Sequence, residues 1–364
     1  MCHLPSRPTS FSGLVDADAV TAGGVAHPAC APRGARGLSR AVSGTSGGES
    51  KRLVAVVGPT ATGKSALGIA LAKRFDGEVV ACDSTAVYRG FDIGTDKVPI
   101  DQQQGIPHHM VDVADPTEEY SAARYAREAA AIVRDITARG KLPILVGGTG
   151  LYYRALTRGF FPGPSRDPVV RARLEAIASK RGPERLHTLL ARVDAESAAR
   201  IQPRDLKRLI RALEVYHLTR RPLTAHFADT QSPLPEYEVT AFALQIPAEA
   251  TAHRVAKRVD EQFERGLLDE IRALLAAGVP PSAHPFTGLV YRQALEHLQG
   301  VRGERDTREL IVRENRKYSR RQLIWFRKEP NLQWIHAAGE RDETMHEVAR
   351  ALAALESRRD VPAS

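Results

Sequence analysis

The chain is poor in cysteine. Of its 364 residues only Cys2, Cys30 and Cys82 carry thiols, so neither a disulfide framework nor a zinc spacing can be assembled. That suits a reducing compartment and a cytoplasmic setting. No uninterrupted apolar run approaches the roughly 20 residues that cross a bilayer, so a soluble protein without a membrane partner is expected. The adjacent pair His108-His109 has no third ligand in view, and neighbouring side chains point apart, which argues against a histidine-held metal. Internal repeats are absent, and the length allows one large or two ordinary domains with ample material for a core. Acids are in the minority: 52 Lys and Arg stand against 43 Asp and Glu, for a net charge of +9 and a pI near 9.6. That excess favours an anionic partner such as nucleic acid.

What the chain does hold begins at Leu53. Leu53 to Val57 is a short β-branched run without alternation, as expected of a strand buried on both faces of a parallel sheet. Gly58, Pro59, Thr60, Ala61, Thr62, Gly63, Lys64 and Ser65 then fit the phosphate-loop pattern G-x-x-x-x-G-K-[ST]. Ala66 to Phe75 continues as a helix, with Leu67, Leu71 and Phe75 four apart. The two bounding glycines let the backbone wrap an anion, so that N–H groups and the helix N-terminus face phosphate oxygens. Lys64 adds a mobile positive charge, and the Ser65 hydroxyl can ligate a Mg²⁺ that bridges two phosphates. A diphosphate leaving group suits such a loop as well as a nucleotide does.

Residues 1–50 are rich in Ala, Gly, Ser and Pro and read as a disordered extension. A second strand, Glu78 to Cys82, ends at Asp83-Ser84, and a short strand is expected at Val111 to Val113. A helix spans Ser121 to Arg139. Lys141 to Gly150 is a third buried strand closed by a Gly-Gly-Thr-Gly loop. This alternation predicts an α/β fold, a P-loop NTPase-like parallel sheet flanked by helices. Its first part covers 51–160. A Pro/Gly linker near Gly159 opens a helical, Arg-rich insertion over 161–235, and the sheet resumes at Tyr237 to Ile246. The second part, 236–338, holds a long helix from Thr251 to Ala277, a loop over His297 to Asp306 and a basic helix from Thr307 to Arg327. A C-terminal helix or tail occupies 339–364.

Ligands in α/β sheets sit outside the carboxyl ends of the strands, so Asp83 and Thr149 should open onto the crevice of the phosphate loop. There Asp83 could ligate Mg²⁺ or act as a general base toward an acceptor, and a strand-end cap would explain it too. The Thr149 hydroxyl could orient an acceptor or simply close a turn. Arg204, Lys207, Arg208 and Arg211 share helical spacing, with Leu206, Leu209, Ile210 and Leu213 available for the opposite face. In the last helix Arg313, Lys317 and Arg321, and Arg316 with Arg320, are four apart; like charges at that spacing cost about 0.2 to 0.5 kcal/mol per pair unless a polyanion faces them. Tyr318, Trp325 and Phe326 between these charges suit either base stacking or a core.

Together these segments resemble the tRNA dimethylallyltransferase family, also called tRNA isopentenyltransferases. The resemblance runs from Leu53 to about Trp334. It rests on GPTATGKS at Gly58, DSTAVYRGFDIGTDK at Asp83, GIPHHMVD at Gly105, LVGGTGLY at Leu145, RLIRALEVY at Arg208, RVDEQFERGLLDE at Arg258 and RKYSRRQLIWFR at Arg316. It implies transfer of a dimethylallyl group from dimethylallyl diphosphate, with Mg²⁺, to N6 of the adenosine just 3′ of the anticodon. By the family's motifs Gly58 to Ser65 would hold the diphosphate and Asp83 would take the N6 proton. Thr149 would contact the adenosine, with Asp83, Ser84, Thr85 and Ala86 lining its pocket. The tRNA-contacting segments would be Arg171; Lys207, Arg208, Leu209, Ile210 and Arg211; Thr287, Gly288, Leu289, Val290, Tyr291, Arg292, Gln293 and Ala294; and Arg320, Arg321, Gln322, Trp325 and Arg327.

Three positions depart from the commoner pattern: Ala86 stands for Gln, Val290 for the Gly before Tyr291, and Asn315 for Thr. The resemblance implies no protein partner and a monomer. A P-loop kinase, a prenyltransferase of free adenine nucleotides and a non-catalytic RNA-binding ATPase are the competing readings of the same loop.

Overall fold

The apolar run expected as a strand forms β1 (Lys51–Val57), whose side chains are buried on both faces from Leu53 onward. With β2 (Gly77–Cys82), β3 (His108–His109), β4 (Leu142–Gly147), β5 (Tyr237–Leu244) and β6 (Leu332–Ile335) it makes a wholly parallel sheet of order β3-β2-β4-β1-β5-β6. The computed structural model describes residues 51–161 and 163–357. The expected extension over 1–50 with Cys2 and Cys30, Pro162 of the linker, and the last residues of the tail lie outside them.

Alternate residues of β1 feed two different cores. Val54 and Val56 pack under Leu67 and Leu71 of α1 (Lys64–Arg74), while Leu53, Ala55 and Val57 face Tyr125 of α2 (Ala122–Ala138) and Tyr152 of α3 (Gly150–Arg158). The helices that follow the neighbouring strands β1 and β4 therefore leave to opposite faces. That arrangement opens a crevice at the carboxyl ends of those strands. Ser121 caps α2 by accepting from the Arg124 N–H at 3.1 Å.

Between β4 and β5 the chain makes α4 (Pro168–Arg181), α5 (Pro183–Val193), α6 (Ala195–Arg200), α7 (Leu206–Thr219) and α8 (Leu223–Ala228). Leu174, Leu186, Leu190, Leu209, Ile210 and Leu213 are buried among them. Leu206, expected on that apolar face, is 39 % exposed. The second half continues through α9 (Ala248–Glu264), α10 (Leu267–Ala276), α11 (Tyr291–Leu298), α12 (Glu304–Phe326) and α13 (Asp342–Ser357).

Three expectations change. The strand placed at Val111 to Val113 falls instead at His108–His109, because Met110 and Asp112 adopt φ of 63° and 58°, outside any strand. The single helix expected from Thr251 to Ala277 is divided at Gly266, whose φ of 90° ends α9 and caps α10. The loop expected over His297 to Asp306 shrinks to 299–303, as α11 and α12 extend into it. The short strand β6 carried no expectation.

Candidate active site

The phosphate loop forms between β1 and α1. Gly58 has φ 135°, and a Cβ there would come within 2.6 Å of the Leu244 carbonyl oxygen, so β5 demands glycine. Gly63, left-handed at φ 83°, turns the chain into α1. Thr62 is buried and its hydroxyl donates to the Pro59 carbonyl at 2.9 Å. The Gly339 N–H bonds Thr62 O at 2.9 Å, bracing the loop from outside the strand–helix unit. Lys64 Nζ donates to Pro59 O at 2.6 Å; removal from water, and then Arg258, pull its pKa down to about 7. Ser65 is exposed in the first turn of α1.

Asp83 stands one residue beyond β2. Its Oδ1 accepts from the Thr85 N–H at 2.8 Å, the Thr85 hydroxyl at 3.0 Å and the Ala86 N–H at 3.2 Å. Oδ2 meets no hydrogen-bond donor among the described residues. The carboxylate is thus anchored by one oxygen and keeps the other for a ligand. Thr149 Oγ1 accepts from the Ser84 N–H at 3.1 Å, tying the loop after β4 to the loop after β2.

Two adjoining cavities meet here. One, of about 250 Å³, joins Lys64 and Ser65 to an apolar sleeve of Val79, Ala81, Ala86, Val98, Val111 and Val146. The other, of about 240 Å³, is lined by Ser84, Thr85, Thr287, Gly288, Leu289, Val290 and Asn315. Thr60, Asp83, Thr95, Asp96, Arg258 and Tyr318 line both. Thr149 lines neither and reaches the site through Ser84. The Tyr318 phenol, pushed up to about 12 by burial and by Asp83, stays protonated at neutral pH. His108, at the sleeve, donates from Nδ1 to the Ile106 carbonyl at 2.9 Å, and His109 pairs with Glu78 at 2.6 Å.

Arg258 went unrecognised in the motif that contains it. From α9 its Nη1 donates to Thr60 Oγ1 at 2.9 Å and its Nε meets Asp96 at 3.1 Å. The available signal was a polar stripe: Arg254, Arg258 and Gln262 recur every four residues beside the buried Val255, Val259 and Phe263.

The segments assigned to tRNA divide into those that face outward and those that do not. Lys207, Arg208, Arg292, Arg320, Arg321 and Arg327 are exposed, with Arg208 also paired to Asp205 at 2.8 Å. Arg171 and Arg211 instead clamp the fully buried Glu214, at 2.9 Å each. Leu209, Ile210, Tyr291, Gln293 and Ala294 are buried. The Tyr291 hydroxyl donates to Glu270 at 2.6 Å. Gln322, also buried, spans Thr60 N–H and Gly148 O at 2.9 Å each, so it holds the phosphate loop and edges the cavity of Lys64 and Ser65 rather than facing outward. Trp325 packs against the core under the Arg154 guanidinium, 4.5 Å from the ring centre. Val290 adopts φ 73°, ψ −63°, a strained conformation for a β-branched residue where glycine would sit freely.

Fold and site together define a P-loop α/β protein in which an anion cradle and a strand-end acid share one wall between an apolar sleeve and a second, more polar cavity. Residues 86–329 match the family model for IPP transferase. The chain belongs to that family. It is 46 % identical over 307 residues, 82 % of this chain and 99 % of the relative, to tRNA dimethylallyltransferase of Solibacter usitatus. A tRNA dimethylallyltransferase of Salinispora arenicola is also 46 % identical, over 79 % of this chain and 83 % of its own length. Among solved structures it resembles the full-length tRNA isopentenylpyrophosphate transferase of Bacillus halodurans, with TM-score 0.62 and 36 % identity over 84 % of this chain and 96 % of that one. A eukaryotic dimethylallyltransferase acting on tRNA gives TM-score 0.70 at 27 % identity, covering 86 % and 82 %. No helix among the described residues is long and apolar enough to cross a membrane.

Proposed function

We propose that the protein transfers a dimethylallyl group from dimethylallyl diphosphate to N6 of the adenosine just 3′ of the anticodon in tRNA, acting as a cytoplasmic monomer. The observation that carries this reading is the wall common to the two cavities. A diphosphate on the phosphate loop with its tail in the apolar sleeve, and a base entering the other cavity, would meet at Asp83. The names of the relatives support the choice of substrates.

In this scheme the C1–O bond of the donor breaks and its electron pair leaves with the diphosphate. The N6 lone pair closes on C1, and the amine proton passes to Asp83 Oδ2. Backbone N–H groups of Ala61 to Ser65, with Lys64 and Arg258, take up the leaving negative charge, the Thr60 N–H being held by Gln322. Thr149 positions Ser84, and Ser84 and Thr85 edge the base, whereas Ala86, expected beside the adenosine, lines the sleeve that takes the donor's tail. Mg²⁺ fits the donor set: the exposed Ser65 hydroxyl opens on the same cavity, and no cluster of three acids, histidines or cysteines exists among the described residues to hold the ion alone. Ser65 and the diphosphate would share it, as such ions usually are shared. When bound it would offset charge on the departing diphosphate. Drawing the base from its stack costs a few kcal/mol, which basic surfaces gripping the stem can offset.

The test is incubation with labelled dimethylallyl diphosphate, Mg²⁺ and unmodified tRNA, followed by digestion. N6-dimethylallyladenosine is the expected product, and Asp83→Asn should lower kcat by about 10²- to 10⁴-fold while tRNA binding persists. Phosphoryl transfer from a nucleoside triphosphate, with no prenylated adenosine, would overturn the reading in favour of a kinase.

A further inference from the structure

Asp96 lies on the wall common to both cavities, yet the chemistry above gives it no task. It sits in a left-handed turn at φ 53°. Its carboxylate meets Arg258 Nε at 3.1 Å, Gln262 Nε2 at 3.1 Å and Arg265 Nη1 at 3.9 Å. Burial pushes the carboxyl up, and Arg258 is the strongest influence holding it down. Arg258 reaches from this acid to Thr60 of the phosphate loop. One guanidinium is therefore within reach of two anions: the resident carboxylate and whatever occupies the cradle.

We propose that Asp96 is the counter-anion of Arg258, which holds that guanidinium between turnovers and competes with diphosphate for it, so setting how tightly the leaving pyrophosphate is retained. This rests on the donor site proposed above. Two anions that draw on one guanidinium compete for its charge and its N–H groups, so each weakens the other's hold, and Arg265 still faces Asp96 when Arg258 is absent. Arg258 keeps its bond to Thr60 when Asp96 is neutralised, so it stays in place and its charge becomes wholly available to the ligand. The sign follows: removing the Asp96 charge tightens anion binding and slows product release.

The discriminating variant is Asp96→Asn. Asn tolerates the left-handed turn as Asp does, and its carbonyl still accepts from Arg258 and Gln262. On the full chain with Mg²⁺, calorimetry with inorganic pyrophosphate should show a Kd lower by about tenfold, the equivalent of one pKa unit. The donor KM should fall in parallel and the tRNA KM should stay put. In an Arg258→Ala background the same substitution should gain less than about threefold, because the two residues act as a pair. A purely structural Asp96 would lower the melting temperature without tightening pyrophosphate. Pyrophosphate binding that is unchanged or weaker in Asp96→Asn overturns the inference. If pyrophosphate responds as stated but no prenylated adenosine forms in the wild type, the prenyl reading falls and the counter-anion role stands.

Discussion

Lys64 ties the phosphate loop to pH. Loss of hydration and the nearby Arg258 bring its pKa from 10.5 to about 7, so above neutrality the side chain is largely uncharged. A diphosphate beside it would raise that pKa, and binding above pH 7 must then take up a proton. Donor affinity is therefore full below about pH 7 and declines as pH rises, by up to about tenfold per unit. Calorimetry at pH 8 in buffers of different ionisation enthalpy should register close to one proton taken up per diphosphate; no uptake between pH 7 and 9 would refute the shifted lysine. At this scale the sequence made Asp83 legible, because strand-end acids in α/β sheets face the crevice. It concealed Arg258 and Gln262, since a polar stripe on a helix looks the same whether it faces water or a cavity. Motif resemblance also transfers a whole segment without saying which way each side chain turns: of the residues expected at the tRNA, Gln322 turns to Thr60 and Gly148 and Trp325 is half-buried under Arg154.

Among the elements, α12 and the phosphate loop form a coupled pair through Gln322. Its amide carbonyl accepts from Thr60 N–H and its amide nitrogen donates to Gly148 O, so one side chain spans the loops after β1 and β4. Gln322→Leu would leave the buried Gly148 carbonyl unpaired, at about 1 to 3 kcal/mol, and the half-buried Thr60 N–H without its partner, at less. The expected result is a lower melting temperature together with a raised donor KM, since Thr60 also carries Arg258. Lost stability with an unchanged donor KM would mean that the clamp supports the fold alone. The strand and helix grammar was readable because β1, β2 and β4 are buried on both faces and lack alternation. β3 and β6 were not: two and four residues give no period to read, and β3 is set by the left-handed residue that follows it. The division at Gly266 was hidden for a different reason. The apolar spacing runs unbroken through Val255, Val259, Phe263 and Leu267, so Gly266, the residue that marks the break, reads as an isolated glycine within one helix.

For the whole molecule the question is which of its many cations meet a polyanion. Net charge does not answer it, because the arginines sort into two populations. Arg171 and Arg211 are spent on the buried Glu214, whereas Arg313, Arg316, Lys317, Arg320 and Arg321 stand exposed along α12, with Arg321 5.6 Å over the Tyr318 ring that lines both cavities. The exposed set lies on the helix that also walls the site, so a nucleic acid gripped there would bring a flipped base toward Asp83. Changing Arg320 and Arg321 together to Ala should weaken tRNA binding and flatten the dependence of log K on log salt by about 0.7 to 0.9 for each phosphate no longer neutralised. The melting temperature should hardly move, because exposed arginines contribute little to stability. Arg171→Ala should do the reverse: it leaves Glu214 short of a partner in the interior of the helical insertion, which costs stability first. Titrations of labelled tRNA at several salt concentrations, alongside thermal melts, separate the two. An unchanged slope in the Arg320/Arg321 variant would remove α12 from the tRNA surface, and a flattened slope in a fully stable Arg171→Ala would place the clamped arginines there instead.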